Sequence, residues 1–294
     1  MRLASFSFED TVRVGVVVDD EIVDLYLAEP EAPTDMREFL ALGEEGRVMA
    51  EFAVERGGNR RPLSDVTLLA PVPHPQKFLA VGLNYGDHIA ETGAQTPRMP
   101  TIFTKQVSCV QRPGGGVQIP HASKMVDYEG ELGVVIGETC RHVSAADASS
   151  VIAGFTIVND VSVRDFQRHT PQFTMGKSFD THGPVGPVIV TPDELGDPHA
   201  LNIQTRVNGE LRQDSNTKHL IFNCYDIIEY VTQAMTLEPG DIIATGTPSG
   251  VAAAMNPQRW LVSGDTVSIT ISGIGTLTNP CVVGPEASGD DDHH

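Results

Sequence analysis

Cysteine is scarce in this chain, and its spacing argues against several kinds of site. The 294 residues include four cysteines, which stand far apart with no Cys-x-x-Cys pair, at Cys109, Cys140, Cys224 and Cys281. No group of Cys or His residues has the spacing of a zinc site. The pattern therefore argues against a disulfide framework and against structural zinc. We expect the four thiols to be reduced packing residues in a cytoplasmic protein.

Long apolar runs and positive charge are also in short supply. No stretch approaches the ~20 apolar residues that a membrane-spanning helix needs, and we expect neither a membrane span nor a signal peptide. The chain has 20 Lys and Arg against 39 Asp and Glu, for a formal net charge of −19. Because nucleic acids and membrane surfaces are themselves anionic, this balance argues against both as partners. An acidic small molecule still fits if a metal ion and a few cations line its pocket.

A polar, turn-rich stretch, ERGGNRRPLSD at residues 55–65, predicts a domain boundary near residue 70. Residues 1–70 are predicted to form a small α+β module. It would contain a hairpin in TVRVGVVVDDEIVDL, with Asp19 and Asp20 at the turn, and helical patterning over residues 35–55 interrupted by Gly43. Residues 71–284 are predicted to form the main domain, and residues 285–294 a disordered acidic tail.

The main domain is predicted to be α+β and predominantly β, because short β-rich segments alternate with Gly and Pro. The predicted strands are 77–82, 101–105, 131–137, 154–159, 185–191, 201–207, 241–245 and 266–271. Two helices are predicted among them, at residues 145–152 and 219–236, and the second carries apolar residues at helical spacing.

Glu129 and Glu131 stand on either side of Gly130, at the start of an apolar run. Residues i and i+2 of a strand point to the same side, so the two carboxylates converge and would repel each other near a core. Asp160 ends another apolar run. Together the three carboxylates would form an all-oxygen site for Mg²⁺, Mn²⁺ or Ca²⁺. From the Glu-x-Glu spacing alone, the solvated face of an amphipathic strand is the favoured interpretation.

The segment VGLNYGDHIAETG contains His88 and Glu91, which would share one face of a helix. A carboxylate that accepts a hydrogen bond from an imidazole fixes its tautomer and raises its basicity, which suits a general base. An incidental pair on an exposed short helix is an equally good interpretation of these two residues.

Several possible hydrogen-bond donors follow Asp160 along the chain. If VSVRDFQ is helical, Arg164 and Gln167 face the metal site, where Arg164 could pair with a substrate carboxylate and Gln167 could donate a hydrogen bond. A structural ion pair is the alternative for Arg164. Lys177 lies in MGKSFDTHGPVGP, and Thr247 lies in the glycine-rich segment IATGTPSGV. Such a loop lets backbone N–H groups approach an anion, although it is equally a tight turn.

Seven segments between about residues 70 and 283 share motifs, in the same order, with one known family: GLNYGDHIAE, PTIFTK, DYEGELGVVIG, GFTIVNDVSVRDFQ, GKSFDTHGPVGP, LIFNCYDIIEYVTQAMTLEPGDIIATGTPSGV and GIGTL. Together they resemble the fumarylacetoacetate hydrolase superfamily. Residues 1–70 resemble the N-terminal module of its bacterial two-module members, such as acylpyruvate and fumarylpyruvate hydrolases and 2-hydroxyhepta-2,4-diene-1,7-dioate isomerases. The resemblance implies a mixed β-sandwich rolled into a barrel-like core, and a homodimer.

The resemblance also implies a role for ten residues. It assigns the metal ligands to Glu129, Glu131 and Asp160, the catalytic groups to His88, Glu91 and Lys177, and the substrate-binding groups to Lys105, Arg164, Gln167 and Thr247. The implied metal is Mg²⁺ or Mn²⁺, with Ca²⁺ as a substitute in vitro, and the dyad of His88 and Glu91 lies on a mobile lid. His169 and His219 depart from the family pattern and could alter the pocket.

The implied reaction is hydrolysis of a carbon–carbon bond in a 1,3-diketo acid such as an acylpyruvate, which gives a 2-oxo acid and a carboxylic acid. Water activated by His88 would attack the distal carbonyl group, and Lys177 would stabilise the oxyanion. Two alternatives stay open. The first is decarboxylation of oxaloacetate, or tautomerisation of a dienoate from aromatic catabolism. The second is a non-catalytic protein that binds oxo acids.

Overall fold

The computed structural model of the protein describes residues 1–92 and 95–286, without the side chains of His88, Ala90 and Thr92. The predicted disordered tail therefore lies outside the described residues from residue 287 onwards. Within the described ranges, no helix is both long and apolar enough to cross a membrane.

The N-terminal segment has a strand-rich start and a helical middle. Its described strands are β1 (Arg2–Phe8), β2 (Thr11–Val18), β3 (Glu21–Asp24), β4 (Arg60–Pro62) and β5 (Thr67–Leu68), and its α-helices are α1 (Leu25–Ala28), α2 (Met36–Ala41) and α3 (Glu44–Arg56). The predicted hairpin is formed by β2 and β3, and Asp19 at its turn has a φ of 53°. The predicted interruption at Gly43 falls between α2 and α3.

The remaining strands confirm the predominance of β structure. They are β6 (Phe78–Gly82), β7 (Thr101–Lys105), β8 (Val110–Gln111), β9 (Val117–Ile119), β10 (Val126–Asp127), β11 (Gly130–Ile136), β12 (Ile152–Asn159), β13 (Ser162–Val163), β14 (Gly183–Val190), β15 (Asn202–Val207), β16 (Glu210–Asn216), β17 (Ile242–Ala244), β18 (Thr266–Ile271) and β19 (Gly275–Val283). The α-helices are α4 (Gly86–Thr92), α5 (Arg164–Arg168), α6 (Thr174–Lys177), α7 (Pro192–Leu195) and α8 (Cys224–Ala234).

The described strands form one large sheet and two smaller ones. The large sheet has the order β4-β3-β2-β1-β14-β12-β11-β17-β6-β7, with β5 beside β1 and β8 beside β14. The pairing of Leu3 in β1 with Ile189 in β14 joins the N-terminal strands to this sheet. The second sheet has the order β16-β15-β18-β19-β9, and β10 pairs with β13. β11 lies inside the large sheet and is buried along its whole length. Its first residues therefore lie in the interior of the protein.

Both predicted helices needed correction. Over the range 145–152 the structure has only a 3₁₀ turn, Ala148–Val151, because Ile152 already pairs with Ile136 in the sheet. The predicted helix 219–236 starts later, at Cys224. Asn223 caps it, accepting from the N–H groups of Tyr225 and Asp226. Such a cap satisfies the open donors of the first turn and sets the starting residue.

Candidate active site

Glu129, Glu131 and Asp160 converge at one edge of the large sheet. Glu129 directly precedes β11, Glu131 is its second residue, and Asp160 directly follows β12. β11 and β12 are antiparallel, so the start of one lies beside the end of the other. The Asp160 N–H donates to the Glu129 carbonyl oxygen at 2.9 Å. One carboxylate oxygen from each residue lies within 4.8 Å of the other two.

The carboxylate cluster is buried. Glu129, Glu131 and Asp160 are 5%, 2% and 0% exposed, which excludes a solvated strand face for the two glutamates. Burial, and then repulsion from Asp160 and Glu129, raises the pKa of Glu131 well above its usual value. The Gly246 N–H donates to Glu131 Oε2 at 2.7 Å. Hard oxygen donors that repel each other in this way fit a divalent cation such as Mg²⁺ or Mn²⁺.

Two buried lysines face the same cluster. Lys177 Nζ donates to Glu129 Oε2 at 2.5 Å and to Asp160 Oδ2 at 2.6 Å. Lys105 Nζ donates to Asp160 Oδ1 at 2.7 Å and to the carbonyl oxygen of Lys177. Burial by itself lowers the pKa of Lys177, but the carboxylates of Asp160 and Glu129 outweigh it and raise this pKa above its usual value. Lys177 is therefore a fixed ammonium group at the carboxylates.

Arg164, the first residue of α5, is engaged by the protein at each guanidinium nitrogen. Its Nε donates to Asp127 Oδ2 at 2.8 Å, and its Nη1 donates to Gln167 Oε1 at 3.0 Å. Its Nη2 lies 2.7 Å from Glu129 Oε1. Although burial lowers the pKa of Arg164, Glu129 and Asp127 raise it overall. These contacts form a structural ion pair, which was the alternative interpretation of Arg164 from the sequence. The predicted role of Arg164 in substrate binding stays a prediction.

Asp127, which the sequence reasoning missed, holds two parts of the site together. It is fully buried in β10 and accepts from Arg164 Nε. It also accepts from the backbone N–H groups of Ala252 at 2.8 Å and Ala253 at 3.0 Å. The signal was present in the segment DYEGE, because Asp127 and Glu129 stand at i and i+2 just as the two glutamates do.

The glycine-rich loop after β17 is bound to the start of β11. Thr247 Oγ1 donates to the Gly130 carbonyl oxygen at 3.0 Å and accepts from Gln213 Nε2 at 2.8 Å. Gln213 Oε1 accepts in turn from the Gly130 N–H at 3.0 Å. Gly246 has a φ of +104°, a conformation that glycine adopts readily, and this turns its N–H toward Glu131. Gln213 lies on β16, and no local motif pointed to it.

Helix α4 carries the predicted dyad and is anchored at two points. The Glu91 carboxylate accepts from the Gly250 N–H at 3.0 and 3.1 Å, and Asp87 Oδ2 accepts from Ser215 Oγ at 3.0 Å. The side chain of His88 lies outside the described part of the structure, so the pairing of His88 with Glu91 stays a prediction.

Several of these groups border a cavity of about 200 Å³. Its polar lining consists of Glu129, Glu131, Arg164, Gln167, Arg168, Lys177 and Thr247, and its apolar lining includes Val81, Leu83, Phe103, Phe173, Val251 and Ala253. Lys105, predicted to bind substrate, is not among the described lining residues and reaches the site through Asp160. His169, whose ring packs on Phe166, and the exposed His219 do not line it either.

Two family matches cover nearly the whole chain. Residues 77–282 match the family described as fumarylacetoacetate (FAA) hydrolase C-terminal. The chain belongs to the fumarylacetoacetate hydrolase family. Residues 1–71 match the family described as Rv2993c-like, N-terminal. The resemblance stated from the sequence motifs is therefore confirmed.

Similar relatives of nearly the same length are named oxaloacetate tautomerases. Oxaloacetate tautomerase Fahd2a, mitochondrial, from Rattus norvegicus is 44% identical over 287 residues, which cover 96% of this chain and 92% of the relative. Oxaloacetate tautomerase YisK from Bacillus subtilis (strain 168) is 42% identical over 298 residues, with 95% and 99% covered.

Similar solved structures include a hydrolase and an isomerase. Maleylpyruvate hydrolase from Sphingobium sp. SYK-6, in complex with manganese (II) ion and pyruvate, is 36% identical with a TM-score of 0.81, and the match covers 97% of this chain and 100% of that one. The 5-carboxymethyl-2-hydroxymuconate delta-isomerase from Mycobacterium smegmatis is 37% identical with a TM-score of 0.77, over 96% and 100%. The fold class predicted from the sequence is confirmed, and the relatives are enzymes.

Proposed function

We propose that the protein is a divalent-metal-dependent tautomerase that interconverts the enol and keto forms of a small 2-oxo dicarboxylic acid of the oxaloacetate type. The observation that carries the proposal is the ammonium group of Lys177, hydrogen-bonded to both Glu129 and Asp160. This arrangement places a group that can donate a proton among the predicted metal ligands. The tautomerase relatives, which match this chain over nearly its whole length, support the same reaction.

The metal would be held by Glu129, Glu131 and Asp160. When bound, Mg²⁺ or Mn²⁺ would supply Lewis-acid polarisation of the 2-oxo acid. The Sphingobium relative, solved with manganese and pyruvate, supports this assignment. Arg164 and Lys177 offset part of the negative charge of the cluster through ion pairs with Glu129 and Asp160.

The chain's own contribution is a pair of proton transfers. Tautomerisation of the enol breaks an O–H bond at the 2-oxygen and forms a C–H bond at C3, with no water consumed and no carbon lost. In the proposed reaction, Lys177 Nζ donates a proton to C3 and accepts the proton from the 2-hydroxyl, so the lysine ends as it began. Glu129 and Asp160 hold the amine in place for both transfers.

The size of the cavity supports a short substrate. Pockets for drug-sized ligands enclose roughly 300 to 1,000 Å³, whereas this cavity encloses about 200 Å³. A four-carbon acid matches a space of this size better than a long acylpyruvate does.

Isotope incorporation tests the reaction. Enol oxaloacetate is mixed with Mg²⁺-loaded protein in D₂O, and the product is analysed by mass spectrometry and for released carbon dioxide. We expect accelerated loss of the enol, deuterium at C3, and all four carbons retained. Accelerated release of carbon dioxide would contradict the proposal and favour decarboxylation.

Hydrolysis of an acylpyruvate is the second candidate. It is supported by the similarity to maleylpyruvate hydrolase and by Glu91, which is held at the Gly250 N–H beside the cavity-lining residue Val251. In this reaction His88, oriented by Glu91, would take a proton from water, and the substrate would be cleaved into pyruvate and a carboxylic acid. Two acid products from one acylpyruvate, with consumption of one water, would favour it.

A further inference from the structure

Arg168 differs from the other cations of the cavity. Among the described residues that line the cavity, three are basic: Arg164, Arg168 and Lys177. Arg164 is engaged by Asp127 and Glu129, and Lys177 by Glu129 and Asp160. The guanidinium group of Arg168 makes no hydrogen bond or ion pair with any residue in the ranges 1–92 and 95–286. Of the described lining cations, it alone keeps its charge available for a ligand.

Helix α5 determines where Arg168 stands relative to the carboxylate cluster. It begins at Arg164, so Arg168 follows at i+4 on the same face. Four residues of α-helix advance the chain by about 6 Å. Arg164 is buried against Glu129, whereas Arg168 is exposed. A ligand that starts at the cluster and extends toward the opening therefore passes from Arg164 to Arg168.

The rest of the described lining offers nothing else for a second negative charge. The lining outside the carboxylate cluster and the three cations consists of Gln167, Thr247, Gly82 and apolar side chains such as Phe103 and Phe173. The whole chain carries a formal net charge of −19. A carboxylate at the outer end of the cavity would therefore be unfavourable unless a guanidinium group paired with it.

We propose that Arg168 binds the distal carboxylate of the substrate and makes the site selective for 2-oxo dicarboxylic over 2-oxo monocarboxylic acids. The assignment of the proximal end to the metal cluster rests on the proposed function. Arg168 is a specificity-determining residue and takes no part in the proton transfer. Its planar guanidinium suits two parallel hydrogen bonds to a carboxylate, which a lysine ammonium cannot reproduce.

The test is calorimetric titration of Mg²⁺-loaded protein with two matched probes. They are 3,3-dimethyl-2-oxobutanedioate and 3,3-dimethyl-2-oxobutanoate, which differ by one carboxylate in place of a methyl group. Neither has a hydrogen at C3, so neither can tautomerise. The variants are Arg168→Gln and Arg168→Lys, and the matched control is Arg206→Gln, which removes an exposed guanidinium that does not line the cavity.

We expect Arg168→Gln to bind the dicarboxylate about 10- to 100-fold more weakly and the monocarboxylate as the unaltered protein does. Arg168→Lys should fall between the two, and Arg206→Gln should change neither probe. A dicarboxylate preference that persists in Arg168→Gln, or an equal loss for both probes, would overturn the inference.

Failure of the proposed function would look different. If the unaltered protein prefers the dicarboxylate through Arg168 but leaves oxaloacetate tautomers unchanged, the distal site stands and the tautomerase proposal fails. If oxaloacetate tautomerises and Arg168→Gln keeps its preference for the dicarboxylate, only the role of Arg168 is lost.

Discussion

Acidification should destabilise the fold through His182, which directly precedes β14 and is fully buried. Its Nε2 lies 2.7 Å from the Gln118 carbonyl oxygen, and its Nδ1 has no hydrogen-bond partner among the described residues. The neutral ring satisfies this site, because Nε2–H donates to the carbonyl oxygen. A protonated ring would bury a second N–H group with no acceptor, together with a positive charge.

The magnitude follows from the two pKa values. Burial lowers the pKa of His182 from 6.5 to about 4, and the nearby charge of Lys105 acts in the same direction against the hydrogen bond to Gln118. The unfolded chain binds a proton near pH 6.5, whereas the native protein resists it until about pH 4. The contribution of neutral His182 to the free energy of unfolding is therefore present in full above about pH 6.5. It is lost as the pH falls from there toward about 4. Linkage gives a loss of about 3 kcal/mol in all, of which about 2 kcal/mol falls between pH 7 and 5.

Urea unfolding at pH 7 and pH 5 tests this reasoning. The proteins compared are the unaltered chain, His182→Gln, and His219→Gln as a control in which an exposed histidine is replaced. We expect His182→Gln to lose about 2 kcal/mol less than the other two between these pH values. Equal losses in all three proteins would refute the assignment of the acid sensitivity to His182.

Two further substitutions test the site itself. Lys177→Met should lower kcat for enol oxaloacetate by about 10²- to 10⁴-fold, because the proton carrier is lost, while calorimetry still detects Mn²⁺ binding; near-normal turnover would remove Lys177 from the proton transfer. Asp127→Asn should lower the free energy of unfolding by about 3 kcal/mol, because buried Arg164 loses an anionic partner. Urea unfolding measures this loss, and a change below about 0.5 kcal/mol, typical of surface substitutions, would contradict it.

Local sequence patterns correctly predicted the elements in which the residue types by themselves favour one kind of secondary structure. β7 and β18 match the predicted ranges 101–105 and 266–271, because each is a β-rich run between turn-forming residues. The prediction of a helix over 145–152 was wrong, because Ile152 pairs with Ile136 in the large sheet. Local sequence does not contain that long-range pairing. The same holds for β1, which joins β14 across most of the chain.

Some residues of the candidate site could likewise be predicted from local sequence, and others could not. The convergence of Glu129 and Glu131 followed from the two-residue period of a strand. The addition of Asp160 needed only that β11 begins and β12 ends at the same edge of the sheet. Gln213 could not be found, because β16 belongs to the second sheet and reaches the Gly130 N–H only through the packing of the two sheets. The contacts of Arg164 could not be predicted either, since its partner Asp127 lies on β10, far from α5 in the sequence.

The most direct test of the account is enol turnover by chelator-stripped protein. Loss of the enol absorbance of oxaloacetate is followed before and after addition of Mg²⁺ or Mn²⁺, with acetylpyruvate assayed in parallel and the products identified. The account predicts metal-dependent loss of enol oxaloacetate with conversion to the keto acid, and no cleavage of acetylpyruvate. Equal rates with and without metal, or cleavage of acetylpyruvate into pyruvate and acetate with oxaloacetate unaffected, would contradict it.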